Sequence, residues 1–372
     1  MKRIALSLIA LISVLNVYSF KSEIKTIKLN DGVKISARLA LPDTSNVKID
    51  RIIFCIHGTG PNTYLTKRAN FNYYDEVAKG FIDEGLALFT YNRRGCTDGN
   101  TPPFFTDVDS LKYSKYTPLQ EAEDVECMIK SVLKDKRFKN CKVILYGISE
   151  GTIIAPLIAE RNKVRVDALL LHGYANENMY DIIQWQNEGS STMMSLNQKF
   201  DKNGDLAISR AEYEDKDEKI SKYRKVYFND VVFDTFDVNK DSVIDAKDIK
   251  MLRAPFHTEL LKRVKANDWM WIRTKYFNVT PQWFTTHYEL EANKSRLLRL
   301  DIPINIFHGT NDANVPVEGV YDIQKRFDLC NKSNLTIHIF ENHDHDLNFM
   351  DILIKKEWSE GYKKLFKTAK NL

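Results

Sequence analysis

The segment Lys142-Val143-Ile144-Leu145-Tyr146-Gly147-Ile148-Ser149-Glu150-Gly151-Thr152 passes from a continuous apolar run, through a Gly-x-Ser-x-Gly turn, into a helical pattern that extends from Thr152 to Glu160. Continuous apolar runs suit strands buried on both faces. A turn from strand to helix this tight brings its flanking backbones so close that positions two residues either side of the serine must lack side chains. Gly147 and Gly151 meet that demand. Ser149 is then expected in a strained conformation, its hydroxyl exposed over the sheet edge with a helix N-terminus behind it. The pattern alone is weak, and its strand–turn–helix setting is what gives it meaning. Pro156 removes one backbone donor inside the helix and is expected to kink it.

Working outward, strand and helix signals alternate. Arg51–Ile56, Leu86–Tyr91 and Ala168–Leu171 read as further buried strands. Tyr74, Val77, Ala78, Phe81 and Ile82 recur at helical spacing, with Gly85 as a stop. Pro118 opens a helix with Ala122, Val125, Ile129 and Val132 on one face. Ile24–Leu41 alternates as an antiparallel hairpin turning at Asn30-Asp31-Gly32. The alternation predicts an α/β fold: a mostly parallel central sheet flanked by helices.

The pattern breaks after Gly173. Residues 174–299 are mainly helical, aromatic and charged, too long for an ordinary connection, and so must carry structure of their own. Alternation resumes with the strand 304–307, a helix near Val317–Phe327, the strand Leu335–Phe340 and a last helix near Ile354–Ala369. The chain reads as one core, residues 24–173 and 300–372, carrying one large insertion.

A serine hydroxyl is a poor nucleophile until a base takes its proton. Acid and base are expected after the serine in chain order, at later strand ends. Asp312 follows the strand 304–307 and is the candidate acid; the alternative is an Asx turn near Pro316. After Phe340, His343 and His345 compete as the base, and His345, preceding Asp346-Leu347, is preferred. A metal site of His343, Asp344, His345 and Asp346 is a further alternative. Charge developing on an attacked carbonyl needs donors. The Glu150 N–H, just past the nucleophile, is one candidate, and the Thr59 N–H in His57-Gly58-Thr59-Gly60 is the other. His57 comes too early to be the base and is expected to be structural. Tyr91-Asn92-Arg93-Arg94-Gly95 is expected to shape the site wall.

These motifs, HGTG, YNRRG, GISEG, GTNDANVP and NHDHDL in that order, resemble the α/β-hydrolase superfamily, and most nearly its carboxylesterase and serine aminopeptidase-like members. The resemblance implies acyl-enzyme chemistry at Ser149, Asp312 and His345. It leaves the substrate open, because the same fold serves esterases, peptidases and some non-enzymes. It also implies that the insertion is a lid.

Within the insertion, near residues 190–255, two twelve-residue stretches share one register. Asp201, Asn203, Asp205, Ala207, Ser209 and Glu212 stand at positions 1, 3, 5, 7, 9 and 12 of the first. Asp237, Asn239, Asp241, Val243, Asp245 and Asp248 do so in the second. Calcium takes 6–8 hard oxygens, and this spacing wraps one ion, with a backbone carbonyl at position 7. The pair resembles EF-hands, with Ile208 and Ile244 placed to pair between loops. Position 6, normally Gly, is Leu206 and Ser242, which implies strained backbone there. The aromatic stretch Trp269–Trp283 is expected either to line an apolar pocket or to pack helices.

The whole chain bounds these readings. Its 372 residues are 43% hydrophobic and 28% charged, enough for a large core. The net charge of +4 is too mild for nucleic-acid binding. Lys2, Arg3 and the apolar run Ile4–Val17, with Val17-Tyr18-Ser19 as cleavage site, read as a secretory signal over residues 1–20. Export to a periplasm, cell surface or exterior is therefore expected, with no stable membrane span after cleavage. Five cysteines show no CxxC spacing, so neither zinc nor a disulfide framework is indicated. The expectation is an exported serine hydrolase acting on a small ester, with a calcium-bearing lid. The alternatives are a short-peptide hydrolase and a calcium-dependent binding protein on an inactive scaffold.

Overall fold

The computed structural model describes residues 20–43 and 49–372. The expected secretory signal lies outside these residues except for Phe20, which opens the first strand. No helix among the described residues is long and apolar enough to cross a membrane.

Eight strands form the central sheet: β1 (Phe20–Lys28), β2 (Lys34–Pro42), β3 (Arg51–Ile56), β4 (Ala87–Tyr91), β5 (Lys142–Ile148), β6 (Ala168–His172), β7 (Ile304–Gly309) and β8 (Leu335–Phe340). Their order is β1-β2-β4-β3-β5-β6-β7-β8. From β4 to β8 neighbours run parallel, while β2 runs against both β1 and β4. The hairpin turns where expected, with Gly32 at φ 87°, a conformation that costs glycine little. This is the architecture of the α/β-hydrolase fold.

The central strands are apolar throughout because both faces are covered. Val143, Ile144, Leu145 and Tyr146 of β5 are fully buried, alternate residues entering the packing on opposite sides of the sheet. One face holds Phe54, Leu145 and Ile306 with Ala122, Val125, Ile129 and Val132 of the helix Pro118–Leu133. The other holds Ile53, Ile144 and Phe307 with Val77, Ala78 and Phe81 of the helix Tyr73–Asp83, and with Leu365 and Phe366. Each of the valine, leucine, isoleucine and phenylalanine side chains among them contributes about 1.5–3 kcal/mol relative to exposure. The last helix starts later than its periodicity predicts. Met350–Ile354 and Glu360–Asn371 are separate helices, because Lys356 turns at φ 59° and Ser359 caps the second by accepting from the Tyr362 N–H.

Between β6 and β7 the chain is mainly helical, and its residues pack in two groups. Ile182, Ile183, Leu260, Ile272, Trp283 and Phe284 share one cluster with Tyr113, Tyr116, Ile153 and Val315 of the sheet-bearing part. Met193, Phe200, Ile208, Tyr213, Phe228 and Ile244 form a separate small core. That second core holds the two acidic loops, joined by an antiparallel bridge pairing Ile208 with Ile244 and Ser209 with Val243.

Cys55, Cys96 and Cys141 are buried in the packing, and Cys330 is exposed.

Candidate active site

Ser149 sits between β5 and the helix Gly151–Arg161 at φ 54°, a left-handed conformation that costs a non-glycine residue about 1–2 kcal/mol. The turn is held by the Ser149 N–H donating to the His172 carbonyl at 2.9 Å and by Thr152, whose N–H donates to the Ser149 carbonyl at 2.8 Å. The flanking glycines are required by close approach. A Cβ at Gly147 would lie 2.3 Å from the Gly151 oxygen, and one at Gly151 would lie 2.3 Å from the Ile56 oxygen.

Asp312, 1% exposed, stands just beyond β7 and divides its oxygens between two tasks. Oδ1 accepts from the backbone N–H groups of Asn314 at 2.8 Å and Val315 at 2.9 Å. Oδ2 lies 2.7 Å from His345 Nδ1. The Asx-turn alternative and the pairing with a histidine therefore both hold, one oxygen serving each. Burial pushes the His345 imidazolium down, but the Asp312 carboxylate outweighs this and leaves its pKa raised to about 9. Burial likewise pushes Asp312 up, and the adjacent imidazolium overcomes it, lowering the carboxyl to about 2.

Two buried histidines hold this pair from behind. His172 Nε2 donates to the His345 carbonyl at 3.0 Å, and His308 Nε2 stands 3.4 Å from Asp312 Oδ2. Burial keeps the His172 imidazole neutral, its pKa lowered to about 3. A Cβ at Gly173 would meet His345 Cε1 at 2.7 Å, so the ring lies directly against that backbone. His343 is placed otherwise: its Nδ1 meets the Glu341 carbonyl at 2.9 Å, and its ring packs on Phe340. Among the described residues, the ligand atoms of His343, Asp344, His345 and Asp346 do not gather closely enough to hold an ion.

The loop after β3 runs alongside Ser149, where a Cβ at Gly58 would lie 3.3 Å from Ser149 Cβ. The N–H groups of Thr59 and Glu150 make no hydrogen bond among the described residues. His57, fully buried, accepts from the Tyr74 hydroxyl at Nδ1 (2.8 Å) and donates from Nε2 to the Tyr91 carbonyl (2.7 Å), which is a structural role. Ser149, His345, Thr59 and Glu150 line one cavity of about 570 Å³, within the range of small-molecule sites. The insertion contributes Met179, Ile182, Ile183, Tyr276, Phe277 and Trp283 to its apolar wall, alongside Phe71, Tyr73, Ile148, Val315 and Phe349 from the rest of the chain. The aromatic stretch thus divides: Tyr276, Phe277 and Trp283 reach the cavity, whereas Trp269 and Trp271 pack among helices.

Sequence reasoning missed the surroundings of the Glu150 side chain, which is 1% exposed. Its Oε1 accepts from Trp283 Nε1 at 2.6 Å and pairs with His287 Nε2 at 2.7 Å, and its Oε2 accepts from the Tyr116 hydroxyl. Burial raises this carboxyl, but the His287 hydrogen bond and the Arg93 charge reverse the shift and leave it below its ordinary value. Arg93 does more than shape a wall. Buried beside Glu121 at 3.0 Å, it donates to the Gly58 carbonyl at 3.0 Å and to that of Gly60. A carboxylate next to an elbow serine signals an interior partner, but nothing local points to Trp283 or His287.

The two acidic loops lie within the insertion's separate core. Leu206 and Ser242 adopt φ 68° and 75°, the left-handed turns expected at position 6. Carboxylate oxygens of Asp237, Asp241 and Asp248 lie within 4.8 Å of one another. In the first loop Asp201 accepts from the N–H groups of Gly204 (2.7 Å) and Leu206 (2.9 Å), and Glu212 from those of Lys202 and Ser209 (both 2.8 Å). Asn203 and Asn239 each donate to the aspartate two residues on, Asp205 and Asp241, at 2.9 Å. Ser209 and Asp245 cap the helices that follow, and Ala207 and Val243 occupy the backbone-carbonyl positions.

No family model matches the chain. A stretch of 86 residues, 22% of the chain, is 29% identical to a probable dipeptidyl-aminopeptidase B of Ajellomyces capsulatus, and it spans only 9% of that protein's length. Among solved structures, a Pyrococcus furiosus esterase aligns over 94% of this chain and 92% of its own at 14% identity and a TM-score of 0.49. A Pyrococcus horikoshii acylaminoacyl peptidase aligns over 95% of this chain and 40% of its own at 13% identity and a TM-score of 0.49.

Proposed function

We propose that the chain is an exported serine hydrolase that cleaves a small carboxylic ester through an acyl-enzyme, with Ser149 as nucleophile, His345 as base and Asp312 as its partner. The observation that carries this reading is the Asp312–His345 pair at 2.7 Å, whose His345 lines the same cavity as a serine held at φ 54°. Ser149 Oγ attacks the ester carbonyl while its proton passes to His345 Nε2. Asp312 holds Nδ1–H and stabilises the imidazolium. The carbonyl oxygen gains charge and meets the Thr59 and Glu150 N–H groups. Collapse breaks the ester bond, and the alkoxide leaves with the proton from His345. Water, deprotonated by the same nitrogen, then attacks the acyl-serine, releasing the acid and restoring Ser149.

Calcium belongs to this reading as a structural ion. Asp201, Asn203, Asp205, Ser209 and Glu212, with the Ala207 carbonyl, would hold one ion. Asp237, Asn239, Asp241, Asp245 and Asp248, with the Val243 carbonyl, would hold another. The left-handed turns at Leu206 and Ser242 and the converging carboxylates of the second loop support the fit. The ion's contribution is to offset repulsion among those carboxylates and so stabilise the insertion that walls the cavity.

Cleavage of short peptides is the second reading. Asp344 and Asp346 line the cavity beside His345, where they can face a free amino terminus. Fluorophosphonate labelling, mapped by mass spectrometry, tests the common chemistry. Labelling of Ser149 is expected, and an unlabelled protein would leave a binding protein on an inactive scaffold. A panel of esters and aminoacyl amides separates the two enzyme readings.

A further inference from the structure

The two proposed oxyanion donors belong to segments far apart in sequence, and one buried network ties them together. Tyr116 donates its hydroxyl proton to the Glu150 carboxylate, and the same oxygen accepts from the Gly60 N–H at 3.4 Å. Arg93 binds the carbonyls of Gly58 and Gly60, which bracket Thr59, and its guanidinium lies 3.7 Å from Glu150 Oε2. The guanidinium carbon also sits 4.1 Å over the Tyr116 ring. The remaining Glu150 oxygen is held entirely by the insertion, through Trp283 and His287 of the helix Pro281–Glu289.

We propose that His287 and Tyr116 are positioning residues that act through the Glu150 side chain, so that the insertion helix sets the geometry of the oxyanion donors as well as covering the cavity. This inference rests on the serine-hydrolase reading above. A buried carboxylate with its donors removed must rotate toward others, and its own backbone N–H is one of the two donors concerned. Oxyanion donors act only when aimed at the developing charge, and each is worth ~10²–10³ in kcat. Misaiming one therefore lowers kcat while leaving substrate binding largely intact. His287 suits the test because it is fully buried and does not line the cavity.

The experiment is steady-state hydrolysis of p-nitrophenyl esters by the full chain and its His287→Ala, His287→Gln and Tyr116→Phe variants, with fluorophosphonate labelling and melting temperature measured alongside. His287→Ala is expected to lower kcat about tenfold or more, with KM changed less than about twofold. His287→Gln, which keeps a donor toward Glu150, is expected to recover most of the loss. Tyr116→Phe, which removes one hydroxyl from an intact ring, is expected to repeat the kcat loss, and it carries the test alone if His287→Ala does not fold. Unchanged kcat in a folded variant, or a loss that glutamine does not restore, overturns the inference while labelling of wild-type Ser149 leaves the hydrolase reading standing. An unlabelled wild type removes both.

Discussion

His345 Nδ1 and Asp312 Oδ2 stand 2.7 Å apart, on loops that follow adjacent parallel strands. Two buried imidazoles, of His172 and His308, brace that pair, so its orientation is fixed before any substrate arrives.

A pH dependence follows from this pair. As the proposed base His345 must be neutral to accept the serine proton, and its pKa is raised to about 9. Activity is expected to climb from neutral toward alkaline pH and level off above that value. Stability runs the other way. The contribution from His345 is complete below its ordinary 6.5 and is lost as pH rises through about 9. The contribution from Asp312 is complete above its ordinary 3.8 and is lost as pH falls through about 2. Profiles of kcat/KM and melting temperature against pH check both signs, and a rate that is already flat in mildly acidic buffer contradicts the first.

The two histidines of the last active-site loop separate cleanly. His345→Ala is expected to cost roughly 10⁴–10⁶ in kcat, as is Ser149→Ala, because members of such a triad fail as a unit. His343→Ala is expected to leave most of the activity, since its ring packs on Phe340 outside the cavity. Ester hydrolysis by the three purified variants decides, and the opposite ranking of the histidines would reassign the base.

Calcium is expected to raise the melting temperature. At about 100 times its dissociation constant an ion adds about 2.7 kcal/mol, a shift of several degrees. Asp248→Ala, which removes the buried carboxylate that closes the second loop, is expected to shrink that response. Thermal unfolding in chelator and in millimolar calcium is the check, and identical melting curves would dispose of the structural ion. In the same assay Leu206→Gly is expected to stabilise the protein by up to about 1 kcal/mol, because glycine relieves a left-handed turn that leucine occupies at φ 68°.

Gly147→Ala probes the elbow. The new methyl would sit 2.3 Å from the Gly151 oxygen, a backbone atom that cannot move without opening the turn. The expected loss is about 1–3 kcal/mol or more, with loss of labelling at Ser149 even where the protein still folds. A variant as stable and as reactive as wild type would show that the turn is looser than its geometry.

Much of the fold was legible because its rules are local. Strands buried on both faces announce themselves as apolar runs, and β3, β5 and β8 begin at the residues that periodicity predicts. Gly147 is demanded by the Gly151 backbone four positions on, whereas Gly151 is demanded by the distant Ile56 carbonyl; the left-handed turns at Leu206 and Ser242 follow from a loop register that is itself a local repeat. The break between Met350–Ile354 and Glu360–Asn371 was missed because a helical period ran across it, and Ser359 caps the second helix from within that period.

The chain by itself determined that Ser149, Asp312 and a histidine of the loop after Phe340 stand in that order, each just past a strand end, since strand ends and turns are set by nearest neighbours. Tertiary structure alone decided which imidazole meets Asp312, because His343 and His345 differ by two residues in sequence and by side of the loop in space. It alone decided what satisfies Glu150. Its partners His287, Trp283 and Tyr116 lie 137, 133 and 34 positions away. A buried charge shows in a sequence only as a demand for partners, and no local pattern says which distant donors the packed core brings to meet it.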